Sequence, residues 1–202
     1  MNIGFIGAGT VAQTIAKHVL PFGHHVLLSN TRGPESLAAL VKDLGGGAAA
    51  GTLQQAAAQD IVVLAVHWSS VQAALFPVAD WKGRILVDAT NRIASLNPFS
   101  LGDISGRTSS EIVADLAPGA KVVKAFNSVP MTWILDFSAA KPRTVLCISG
   151  DDVEAKKSVH DLIEQIGFCA IDLGSLAVGG RLQQLGGALG GIRLNFIEKF
   201  SL

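Results

Sequence analysis

The sequence predicts an α/β protein: a doubly wound, mainly parallel sheet with a C-terminal βαβ extension and a terminal helix. Three observations carry this. Short apolar runs alternate with helix-periodic segments along the 202 residues, the pattern of strands joined by right-handed crossovers. Asp60-Ile-Val-Val-Leu-Ala-Val66 is almost continuously apolar, as suits a strand buried on both faces of a parallel sheet. The first apolar run, Asn2 to Ile6, opens into a glycine-rich turn.

In that turn Gly7, Gly9 and Ala12 take the spacing of the dinucleotide-binding fingerprint, with alanine in place of its third glycine. Gly7 permits the tight strand-to-helix turn, Gly9 lets backbone approach a pyrophosphate, and Ala12 lets the helix sit close to the strand. Free amides at the helix start, at Thr10 and Val11, together with the helix dipole, would hold the pyrophosphate. A ligand-free βα turn can use the same small residues. Placement directly between a strand and a helix favours binding, so the turn predicts a Rossmann-like domain.

The second strand, His25 to Leu28, runs into Ser29-Asn-Thr-Arg-Gly-Pro34. Domains that read an unphosphorylated ribose place Asp or Glu near here, about 20 residues after the glycines. No carboxylate lies between Ser29 and Pro34. Asn30 and Thr31 offer small polar groups, and Arg32 a charged planar fork able to pair with a 2′-phosphate. The missing acid and the present arginine together predict NADP(H) over NAD(H).

Glu35 to Leu44 reads as a helix ended by Gly45-Gly-Gly47, and a weak third strand falls at Ala48 to Gly51. Arg84 to Asp88 and Lys121 to Phe126 repeat the buried-strand pattern. Residues 1–142 form the dinucleotide-binding core of a single domain and 143–202 its extension. In the extension Thr144 to Ile148 is a strand, Asp151 to Ile166 a helix and Phe168 to Asp172 a strand. Asp151 and Glu154 stand three apart at that helix start, as in a cap, and would repel a second phosphate. Leu176 to Phe200 reads as the terminal helix. Its Gly186, Gly187, Gly190 and Gly191 would form an i, i+4 stripe, costly in a helix at about 1 kcal/mol each. Close helix packing, as in a homodimer, is the first reason for it, and a planar ligand the second.

Composition bounds the function. Apolar residues make up 49% and charged ones 16%, with 16 Lys+Arg against 16 Asp+Glu. That balance argues against a nucleic-acid or membrane-surface partner recruited by net charge. No basic leader, cleavage site or transmembrane span is expected, and Arg181, Gln183, Gln184 and Arg193 interrupt the last apolar stretch. Cys147 and Cys169 read as buried, reduced thiols of a cytoplasmic protein, with no metal site.

Ligands of open α/β sheets bind at the carboxyl ends of strands, where three loops should meet. Val66-His-Trp-Ser69 follows the most apolar strand; Trp68 could wall a nicotinamide or simply pack, and His67 is the histidine placed by a strand end. In Ala89-Thr-Asn91, Asn91 can bond ribose or nicotinamide. Asn127-Ser-Val-Pro-Met131 pairs polar residues with a proline turn. His18, His24, His25 and His160 have no partner at catalytic spacing, and Lys124 lies mid-strand.

Gly7-Ala-Gly9, Ser29-Asn-Thr-Arg32, Val87-Asp-Ala-Thr-Asn91, Thr108-Ser-Ser-Glu111, Lys121-Val-Val-Lys-Ala-Phe-Asn-Ser128 and Gly150-Asp-Asp152 together resemble the deazaflavin-dependent NADP oxidoreductases. They are also similar to the NADPH-oxidising domain of STEAP-type ferric reductases. The resemblance runs through Asp172-Leu-Gly-Ser175 to the C-terminus. It implies that Asn30, Thr31 and Arg32 hold the 2′-phosphate, and that Val66, His67 and Trp68 border the nicotinamide ribose. It places Asn127, Ser128, Val129 and Met131 near the hydride-transfer position. The departure is His67, where the family often has proline before the tryptophan. The implied chemistry is hydride transfer between nicotinamide and a flavin or deazaflavin, which depends on stacking and needs no catalytic acid or base. Two other readings stay open: a dinucleotide-binding redox sensor without turnover, and a reductase of a small carbonyl or imine with His67 as proton donor.

Overall fold

A computed structural model describes residues 1–130 and 142–197. Nine of its strands form one mixed sheet. In chain order the elements are β1 (Asn2–Ile6), α1 (Thr10–Val19), β2 (His25–Ser29), α2 (Ala38–Leu44), β3 (Ala48–Ala50), α3 (Leu53–Ala57), β4 (Ile61–Leu64) and α4 (Val71–Leu75). There follow β5 (Ile85–Asp88), β6 (Ile93–Leu96), β7 (Phe99–Leu101), α5 (Ser109–Leu116), β8 (Lys121–Lys124) and β9 (Arg143–Gly150). The chain continues with α6 (Val153–Gln165), β10 (Cys169–Asp172), α7 (Gly179–Gln183) and β11 (Asn195–Phe196).

The sheet order is β10-β9-β8-β5-β4-β1-β2-β3, with β11 pairing β9. Strands β1 to β5 and β8 pair in parallel, Ile3 standing opposite both Val26 and Ile61. β9 runs antiparallel to β8, with Lys124 opposite Ser149, and β10 returns parallel to β9. The order reverses between β2–β1 and β4–β5, which creates a crevice at the carboxyl ends of β1 and β4.

The apolar runs become strands because both faces of the sheet are covered. Ile61, Val62, Val63 and Leu64 of β4 are all at most 2% exposed. On one face Ile3, Phe5, Ile15, Val63 and Phe168 share a core; on the other Val62, Leu64, Leu75, Trp81 and Leu86 share a second. Burying each large aliphatic side chain contributes about 1.5–3 kcal/mol. α1 turns Ala12, Ile15, Ala16 and Val19 inward. Thr108 caps α5 in a reciprocal box with Glu111, an arrangement whose loss typically costs about 1 kcal/mol.

Four features differ from the sequence expectations. The terminal helix over 176–200 does not form: within the described residues only Gly179–Gln183 is helical, followed by turns and the short strand β11. Gly186 and Gly191 adopt φ of +91° and +82°, left-handed values that glycine takes without cost and a right-handed helix excludes. The glycine stripe therefore does not exist, and the packing argument for a homodimer falls with it. The cap of α6 is Asp152, which accepts from Ala155 N–H, whereas Asp151 accepts from Leu176 N–H. The helix expected from Glu35 begins as a 3-10 turn at Pro34–Leu37. Finally, β6 and β7 form a separate antiparallel hairpin that strand patterning does not signal.

Candidate functional site

A cavity of about 920 Å³ opens at the carboxyl ends of β1, β4 and β5, within the range of ligand and cofactor pockets. Its first wall is the fingerprint turn, Gly7 to Val11. Gly7 has φ +106°, and a Cβ there would overlap the Ala65 carbonyl oxygen; its N–H donates to Ser29 O. Only glycine closes that turn. At Gly9 a Cβ would meet nothing within 4 Å, so the space beside it is open to a ligand. Gly9 starts α1 with no side-chain cap, and the first turn of α1 holds no acid. Its free amides and the positive end of the helix thus face the cavity unneutralised. Ala12 is fully buried, as the close helix–strand contact requires.

The β2 end supplies Ser29, Asn30 and Thr31 to the lining. Asn30 organises this loop: its Oδ1 accepts from Arg32 N–H at 3.0 Å and its Nδ2 donates to Ser36 Oγ at 2.9 Å. Arg32 lies just outside the described lining and is exposed.

Val66, His67 and Trp68 line the cavity beyond β4. His67 precedes a 3-10 turn and is exposed. Among the described lining residues it is the sole ionisable side chain. Trp68 is half-buried, its indole set so close to the β6–β7 hairpin that a Cβ at Gly102 would lie 2.6 Å from Nε1. The hairpin itself contributes Ile93 and Leu96. It is closed at its base by Gly102 N–H donating to Arg92 O and Arg92 Nη1 donating to Gly102 O, both 2.7 Å.

Ala89, Thr90 and Asn91 form the β5 end of the lining. Behind them lies a fully buried ion pair, Lys124 Nζ to Asp88 Oδ2 at 3.0 Å. Burial pushes the Asp88 carboxyl up, but the Lys124 charge and hydrogen bonds from Ser110 and Thr90 outweigh it and leave the group below the usual carboxylate range. Thr90 is held by every polar group it has. Its N–H and Oγ1 donate to Asp88 Oδ1 at 2.9 and 2.6 Å, and its carbonyl accepts from Lys124 Nζ at 3.3 Å. No carboxylate stands among the described lining residues.

The described residues of the third loop do not line the cavity. Asn127, Ser128 and Val129 are buried behind Asn91, joined to it by Asn91 Nδ2 donating to Asn127 O at 3.1 Å. Met131 lies outside the described residues. His18, His24, His25 and His160 stand away from the cavity. His24 bridges toward the Met1 amine and Gln165 instead. Ile6, Ala65, Ser70, Leu53, Gln54, Ala73, Ala74 and Pro77 complete the described lining. Sequence reading passed over the last five because short helices of small and apolar residues carry no chemical signature.

The geometry fits a dinucleotide: an anion cradle at α1, a polar loop at β2 and an apolar end under Trp68 and the hairpin. Comparison with known proteins agrees. Residues 2–92 match the family described as NADP oxidoreductase, coenzyme F420-dependent. The chain is 32% identical over 182 residues to the metalloreductase STEAP3 of Rattus norvegicus, covering 87% of this chain and 34% of that protein. It thus spans about a third of the length of the curated relatives it matches. Among solved structures, a hypothetical protein of Sinorhizobium meliloti superposes with a TM-score of 0.88 at 37% identity, covering 98% of this chain and 97% of that one. A candidate F420-dependent NADP-reductase from Arthrobacter sp. FB24 superposes with a TM-score of 0.73 at 27% identity, covering 87% and 86%.

Proposed function

We propose that the chain, whose residues 2–92 match the family of coenzyme F420-dependent NADP oxidoreductases, moves hydride between NADP(H) and a flat, flavin-like or deazaflavin acceptor. The observation that carries the reading is the polarity of the cavity. One end presents backbone amides and no acid; the other presents Trp68, Ile93 and Leu96. In this reading Gly7, Gly9, Thr10, Val11 and Ala12 hold or admit the pyrophosphate. Asn30, Thr31 and Arg32 take the 2′-phosphate, with Asn30 fixing the loop from which Arg32 reaches. Val66, His67 and Trp68 border the nicotinamide ribose, and Asn91 the nicotinamide. Asn127 supports Asn91 from behind, and the resemblance puts Ser128, Val129 and Met131 near the hydride-transfer position.

The bound dinucleotide supplies the hydride donor. The protein's share is to orient two rings face to face and keep water out.

The test is a panel of flavin, deazaflavin and ferric acceptors, with NADPH absorbance followed on purified protein. At least one flat acceptor should oxidise NADPH, and NADPH should bind more tightly than NADH. Arg32→Ala should weaken NADPH by about 1.5–3 kcal/mol and leave NADH nearly unchanged. Equal affinities for the two dinucleotides remove the NADP assignment. Tight NADPH binding with no turnover on any acceptor points instead to a redox sensor. A second reading, reduction of a small carbonyl or imine, is favoured by one observation: His67 is exposed within the lining and can donate a proton. It requires that His67→Ala abolish turnover, an effect direct hydride transfer does not predict.

A further inference from the structure

Gln183 sits in α7, far from the fingerprint in sequence, with no exposed surface. Its Nε2 donates toward Asn127 Oδ1 at 2.9 Å, Lys124 O at 3.2 Å and Cys147 O at 3.2 Å. In return Asn127 Nδ2 donates to Gln183 O at 2.9 Å. The two residues thereby hold each other at both ends of the Asn127 amide. Asn127 in turn faces Asn91: its carbonyl accepts from Asn91 Nδ2, and its Nδ2 lies 3.4 Å from Asn91 Oδ1. Asn91 is the member of this chain that lines the cavity.

Two further features indicate that the arrangement is maintained against a cost. Phe126, immediately before Asn127, is buried with φ +60°, a left-handed value that a bulky side chain adopts only when its surroundings enforce it. The Oε1 of Gln183 is buried with no partner among the described residues, an unfavourable state for an acceptor. The amide is oriented by what its nitrogen must reach.

We propose that Gln183 is a positioning residue for the nicotinamide end of the cavity: it locks Asn127, and through it the side chain of Asn91, in the geometry the cofactor meets. The inference rests on the NADP(H) reading of the cavity. It gives the C-terminal extension a part in the site although none of its described residues lines it.

The experiment titrates the full chain by calorimetry with two ligands, NADPH and 2′-phospho-ADP-ribose, which is the same nucleotide without nicotinamide. Gln183→Met keeps length and volume but cannot donate. NADPH affinity should fall about tenfold, the loss expected for one or two hydrogen bonds, while 2′-phospho-ADP-ribose affinity stays within about twofold of wild type. Combined with Asn91→Ala, the variant should add little to the effect of Asn91→Ala alone, because both act through one contact. Equal losses on the two ligands, no loss on either, or full additivity overturn the proposal. Should Gln183→Met fail to fold, Gln183→Asn, which draws the amide back by one methylene, is held to the same pattern. A wild type that binds neither ligand removes the NADP(H) reading, and this inference with it. A wild type that binds both, with an unselective variant, removes this inference alone.

Discussion

Lys124→Met is the sharpest probe of how the floor of the cavity is held. The wild-type ammonium touches Asp88 Oδ2 at 3.0 Å and Thr90 O at 3.3 Å, and both members of the pair are fully buried. Methionine fills a similar volume, so the loss is electrostatic, not a cavity. Asp88 keeps its hydrogen bonds from Thr90 N–H, Thr90 Oγ1 and Ser110 Oγ but loses the counter-charge of Lys124. Breaking a buried pair by removing one partner costs about 3–5 kcal/mol, a large part of the stability of a domain of this size. The pH dependence has a defined sign. In the wild type the Asp88 carboxyl is held below its unfolded value, so its contribution is present above about pH 4 and is lost as pH falls through the folded pKa. In the variant that carboxyl protonates at higher pH. The destabilisation should therefore be largest at neutral pH and shrink on acidification. Urea unfolding of both proteins at several pH values measures this. A neutral-pH loss below about 1 kcal/mol, or a loss independent of pH, would show that the pair is not the anchor its geometry suggests.

The remaining predictions concern glycines. Gly9→Val should abolish dinucleotide binding with the thermal transition nearly unchanged, because its Cβ points into open space; normal NADPH titration by this variant would reduce the glycine turn to a structural device. Gly7→Val, by contrast, should fail to fold or lose at least about 3 kcal/mol, since its Cβ overlaps Ala65 O at φ +106°; circular dichroism and urea unfolding distinguish the pair. Gly102→Ala should push the Trp68 indole off the hairpin, with about 1–3 kcal/mol of overpacking and a shift in tryptophan emission; unchanged emission and stability would mean the hairpin yields freely.

The parts legible in the sequence are those where one residue type meets one physical need. Continuous apolar runs became buried strands, and Gly7, Gly9 and Ala12 stand where the turn, the open cradle and the helix contact need them. The β6–β7 hairpin was not legible, because Leu96 and Phe99 are exposed apolar residues whose pattern matches neither a core strand nor a surface one. The terminal helix failed because glycine spacing alone cannot distinguish a helical stripe from left-handed turns. For Asn127, the strand-end position was correctly read, but which way its amide turns depends on Gln183, 56 residues later. A contact of that range leaves no local trace.

Gly4 has no place in the lining, yet it governs the width of the cavity. A Cβ at Gly4 would run into the carbonyl of Ala56, so α3 rests directly on the bare backbone of β1. A five-residue helix is too short to hold its own shape in water and takes its position from that contact. Its leading residues, Leu53 and Gln54, are part of the cavity wall. Any side chain at position 4 would lift the helix and carry this wall outward. The clearance available to a ligand is therefore set in the hydrophobic interior, by a single absent methyl group at a strand position that does not line the cavity.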